Sequence, residues 1–175
     1  TPFVLSGAAS DPDGQPLTYS WQQVDVLSVP YTGTATLQQA MTDLGSGALY
    51  RVYEFSTGGA SRSFPAQTNV LSGTVALGEV YPTTNRTLNF RLFARDNQAI
   101  AGGANYDSVR LTVMDTGSGF SVTTPAAGTA WTAGLARFVQ WNAANTSAAP
   151  IACTLVDILL SSDGGATFPI VLAAA

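Results

Sequence analysis

The chain has 175 residues, a formal net charge of −4, 46% hydrophobic and only 10% charged residues, a balance too apolar and too poor in charge for a disordered polypeptide. It contains no His and one Cys, which excludes Ser–His–Asp and Cys–His triads, His-ligated zinc, the HExxH motif and any internal disulfide. Its seven basic residues, all Arg, are scattered along the sequence, so no basic footprint for nucleic acid is evident, and no apolar run is long enough for a membrane-spanning helix.

Period-two alternation, frequent β-branched and aromatic residues, and Gly, Pro and Asn/Asp punctuation predict an all-β chain built as an immunoglobulin-like β-sandwich. In chain order, strands are expected at residues 2–6, 17–24, 49–55, 87–95 and 107–114. Residues 26–86 exceed what a plain immunoglobulin-like domain needs, and predict a long insertion with at least one extra strand. The apolar spacing of residues 34–44 predicts a short helix there. A Gly/Ser break at residues 117–119 sets the expected boundary, giving domains at 1–116 and 117–175. Strands follow at residues 120–123, 136–142, 154–161 and 168–172. Four strands are about half of a sandwich of roughly a hundred residues, so the second domain is expected to be incomplete. The chain then reads as an internal piece of a longer polypeptide, in contact with the rest of it.

The first motif with chemistry is Asp11-Pro12-Asp13-Gly14, where carboxylates at i and i+2 flank a tight loop. Asp-Pro and Asp-Gly form turns by themselves, but hard oxygen ligands in such a loop also suit calcium. In a sandwich of this type the loop between strands B and C and the loop between strands F and G share one end. Asp11, Asp13, Asp96 and Asp107 are therefore expected to converge there, with a calcium ion offsetting their repulsion. Asp25 falls at the other end of its strand and is left out. No zinc is expected in this chain.

Trp21 in LTYSW and Trp141 in RFVQW are expected to be core anchors, and Trp131 less so. Residues 161–168, SSDGGATF, match the Asp-box pattern S-x-D-x-G-x-T-aromatic. There Asp163 is expected to accept backbone N–H bonds, while Gly165 supplies a positive φ. The turn stabilises a fold and carries no chemistry. The only two Glu are Glu54 and Glu79, and nothing in the sequence sets two carboxylates across a cleft for glycoside hydrolysis. No catalytic residue is expected. Cys153 precedes a strand that looks buried, and reads either as a buried thiol or as one paired outside these residues.

The stretch SDPDGQPLTYSWQQVD (10–25) resembles the start of PKD-like and cadherin-like bacterial immunoglobulin domains. SRSFPAQ (61–67), GEVYPTTNRTLNFRLFARDN (78–97) and AGTAWTAGLARFVQWNAANTSAAPIACTLVDILLSSDGGATFP (127–169) together resemble the non-catalytic region downstream of the protease domain in secreted bacterial reprolysin-like zinc metalloproteases. The last stretch also resembles a fibronectin type III-like module of cell-wall and surface proteins. The resemblance implies an accessory or spacer module, secreted or at the bacterial cell surface, with the peptidase N-terminal to residue 1. The alternatives are an adhesion module for a surface polysaccharide or a protein, or a subunit that exchanges strands with its neighbours.

Overall fold

The computed structural model describes residues 1–28 and 41–175. The fold is all-β: nine strands and one six-residue helix make up its regular structure among the described residues. The chain divides into two compact units, Pro2–Val113 and Met114–Ala175.

In the first unit, β1 (Phe3–Ser6) pairs antiparallel with β3 (Ser61–Phe64). A second sheet has the order β2 (Thr18–Gln23), β4 (Arg86–Arg95), β5 (Ala104–Val113), all antiparallel. The sequence dictates which face of β4 is dry. In RTLNFRLFAR, Leu88, Phe90 and Leu92 alternate with Asn89, Arg91 and Phe93, and only the first three are buried. Leu111 and Val109 of β5 lie opposite Leu88 and Phe90 and extend the dry face. Phe3 and Phe64 from the β1–β3 ribbon meet Phe90 from β4, with ring centroids 5.9 and 4.8 Å away. Trp21, Leu49, Tyr50 and Val80 complete this core. Trp21 is an anchor as expected, and its indole N–H donates to the Ala60 carbonyl at 2.8 Å.

Residues 49–55, expected as a strand, make only the isolated bridge of Tyr50 to Glu79, and the next residue, Ser56, bridges to Tyr19. The reason is a side chain standing in for a strand. Buried Gln23 accepts the backbone N–H groups of Leu49 and Tyr50 at 2.7 and 3.1 Å, so these amides need no ladder. The expected insertion does contain a further strand, β3, and also the helix α1 (Gln67–Ser72). Gly73 closes α1 at φ +65°, where its N–H and that of Thr74 return to the Val70 and Asn69 carbonyls. Of the helix expected over residues 34–44, residues 34–40 lie outside the described residues, and 41–44 are turn and irregular chain.

The second unit has two separate ribbons: β6 (Ser121–Thr124) with β7 (Gln140–Asn142), and β8 (Ile158–Leu160) with β9 (Ile170–Ala173). They are shorter than the strands expected at 136–142 and 154–161. Trp141, expected in a core, is 38% exposed, and Trp131 is 42% exposed. A two-stranded ribbon has no second layer to cover its rings, and in this unit only Ala144 and Gly165 are buried.

Candidate functional site

Thr18, the first residue of β2, pairs with Arg95, the last of β4. The loop carrying Asp11 and Asp13 and the loop beginning at Asp96 therefore join the sheet at one end. Asn97 links them to the sheet by donating its side-chain amide to Thr18 Oγ1 at 2.8 Å. Backbone amides engage the carboxylates. Asp11 Oδ1 accepts from the N–H groups of Asp13 and Gln15 at 2.9 and 3.1 Å. Asp96 accepts from Gly103 N–H at 2.9 Å and Gln98 N–H at 3.1 Å, and these donors hold its pKa below the ordinary carboxylate value.

Asp107 is placed elsewhere. Strand β5 starts at Ala104, earlier than expected, so Asp107 lies within it opposite Leu92. It sits three residues from the sheet end, about 10 Å along the strand, and accepts Ser108 N–H at 2.7 Å. Among the described residues no group of three or more His, Cys, Asp or Glu side chains is arranged to hold a metal ion.

The two buried carboxylates are bound into the framework. Glu79, with no exposure, accepts the Tyr53 hydroxyl at 2.8 Å and Arg62 Nη2 at 3.1 Å on one oxygen, and Ala66 N–H at 2.8 Å on the other. Arg62 also donates to the Trp21 and Arg51 carbonyls, and its guanidinium lies 4.2 Å from the Tyr53 ring centroid. Asp43 accepts Gly45 N–H and Arg86 Nη1 on one oxygen, at 2.9 and 2.7 Å, and both Thr83 and Thr84 N–H on the other, at 2.8 and 3.2 Å. Burial alone pushes its pKa up. The amide, Arg86 and Thr84 donors outweigh that and hold it below the ordinary value. Glu54, by contrast, is exposed. Sequence reasoning missed the structural role of Asp43, because Thr83, Thr84 and Arg86 lie about forty residues away.

Asp163 makes the turn its motif implies. It accepts the Ser161 hydroxyl at 2.6 Å and both the N–H and the hydroxyl of Thr167, at 2.9 and 2.5 Å. These donors, Ser161 first, hold its pKa far below the ordinary carboxylate value. Gly164 and Gly165 take φ +73° and +91°, a region costly for side chains with a Cβ. Cys153 is exposed and is not in a disulfide.

The seven arginines, scattered in sequence, divide into groups in space. Arg51, Arg62 and Arg86 pair with Glu79 or Asp43. Arg91 and Arg95 alternate along β4 on the face opposite Phe90, and Arg110 on β5 pairs with Asn89 on that same outer face. Arg91 stacks 4.4 Å from the Tyr106 ring centroid, Tyr106 packs 5.2 Å from Phe93, and Arg95 lies 3.9 Å from the Phe55 centroid. Beside Arg91 and Arg110, an open depression is lined by Asp25, Asn89 and Ser108. The alternation Asn89, Arg91, Phe93, Arg95 is a signal present in the sequence. Pairing with β5 adds Arg110 and Tyr106.

No family model, curated protein or solved structure matches this chain. Among the described residues no helix is long and apolar enough to cross a membrane.

Proposed function

We propose that this chain is a non-catalytic accessory or spacer region of a secreted bacterial metalloprotease. Its first unit would be an immunoglobulin-like sandwich and its second a partial fibronectin type III-like one. One observation carries the non-catalytic reading: both buried carboxylates, Glu79 and Asp43, have their oxygens filled by backbone amides, arginines and hydroxyls. A general acid or base needs a free proton site facing substrate. The meeting of Phe3 and Phe64 with Phe90 across two sheets supports the sandwich. The protease context rests on the resemblance of residues 61–67, 78–97 and 127–169. Reading the encoding gene upstream of residue 1 tests it. An in-frame HExxH supports the reading, and an uninterrupted upstream sequence without one overturns it.

Calcium enters this proposal only at the tip that carries Asp11, Asp13 and Asp96, since Asp107 lies up the strand. A carboxylate has about four lone-pair sites, so the two amides on Asp11 leave room for an ion. An ion there would need the two loops to draw together. Calcium binding only the native state raises Tm by mass action. A rise reversed by EDTA and lost in Asp13→Ala keeps the ion in the reading, and an unchanged Tm removes it.

A further inference from the structure

We propose that the outer face of the β2–β4–β5 sheet is a binding surface for an acidic polysaccharide, held by Arg91, Arg95 and Arg110. The proposal stands on the geometry of this sheet and does not depend on the protease reading.

The first argument is charge. The whole chain carries −4, yet three of its arginines gather on one sheet face. Among the described residues, no carboxylate lies within ion-pair distance of any of them. Arg110 is diagonal to Arg91, because Arg91 pairs with Ser108 two residues away. Diagonal neighbours in a sheet are about 7–8 Å apart, so two arginines rise from neighbouring positions of this face. The Asp25 carboxylate borders the same depression, one negative charge against three guanidinium groups on this face. It accepts from the side-chain amides of Gln23 and Asn89, each at 2.6 Å, and from Asn89 N–H at 3.0 Å. The face keeps an excess of positive charge, and an anion from outside is its complement.

The second argument selects the ligand. Strand β4 is central, with its main-chain groups paired to β2 and β5. A ligand lying across this face therefore meets side chains, whereas strand addition, the mode that favours extended peptides, belongs to the edge of the sheet at β5. The face offers planar guanidinium forks for carboxylate or sulfate, the half-exposed Tyr106 ring, and the Ser108 hydroxyl between Arg91 and Arg110. Arg91 and Arg95 are four residues apart on one strand, about 13 Å. Acidic groups repeating along a polymer can engage both, where a single small anion cannot. The depression is open, as suits a chain lying across a surface.

The test is affinity electrophoresis of the whole chain through gels containing a carboxylated polysaccharide, a sulfated one, or a neutral one of matched size. Retardation by one or both acidic polymers, weakened by salt and absent with the neutral polymer, is expected. The doublet Arg91→Gln/Arg110→Gln should weaken retardation at least tenfold. Arg137→Gln, in the other unit, should leave it unchanged. A circular-dichroism melt confirms that the doublet is folded; if it is not, the single variant Arg110→Gln at an exposed position carries the test. Equal retardation by the neutral polymer, no loss in a folded variant, or stronger binding to polyglutamate or single-stranded DNA than to either acidic polysaccharide overturns the proposal.

Discussion

At the scale of the residue, buried charge in this protein serves cohesion. The Asp43 and Arg86 side chains are 0% and 4% exposed, and Arg86 also donates to the Gly47 carbonyl. The pair thus joins the segment around residues 43–47 to the first residue of β4. Removing one member of a buried pair strands the other and costs about 3–5 kcal/mol. Asp43→Ala is expected to lower stability by about that amount in denaturant titration. The pH dependence has a fixed sign. The folded pKa of Asp43 lies below its unfolded value of about 3.9. Its contribution is therefore complete above about pH 4 and is lost as pH falls through the folded value. The Tm gap between the wild type and Asp43→Asn should be widest near neutrality and narrow below about pH 4.

At the scale of the element, alternation was enough to find β4, and its partners follow from it. Strands β2 and β5 begin and end within a few residues of where turn residues and period-two patterning place them. The segment at 49–55 has the same β-rich composition but does not form a strand, because Gln23 satisfies the Leu49 and Tyr50 amides. No local pattern announces that a glutamine 26 residues away will do this. Truncating it leaves buried donors unmet, at about 1–3 kcal/mol each. Gln23→Ala is expected to destabilise by about 2 kcal/mol or more and to speed amide exchange at Leu49 and Tyr50, read by hydrogen-exchange NMR. Unchanged exchange there would show that the glutamine is dispensable.

At the scale of the whole molecule, the two units differ in how they treat apolar surface. The first buries Trp21, Phe64, Leu88, Phe90 and Leu92 in one cluster. The second leaves Phe138 82%, Leu155 66% and Val171 59% exposed. Two-stranded ribbons are marginal alone in water, and a typical monomer keeps its apolar patches small. Residues 117–175 expressed alone are expected to melt without cooperativity and to enhance the fluorescence of a hydrophobic dye. A sharp melt with no dye binding would show that this unit closes a core by itself. The acidic tip was legible in part: the Asp11–Asp13 loop and Asp96 follow from strand order. Asp107 was misplaced because strand ends are set by pairing, and β5 runs back to Ala104 opposite Arg95.

The sequence by itself determined that this chain is β-rich, that it lacks histidine chemistry and an internal disulfide, and that SSDGGATF closes a turn on Asp163. These depend on composition, period and neighbours close in the chain. Tertiary structure alone decided that Asp43 locks Arg86, that Gln23 replaces a strand, and that Arg110 joins Arg91 and Arg95 on one face. Each joins residues about 15 to 43 positions apart, and such meetings depend on strand register, which is fixed only when the dry faces of the sheet pack together.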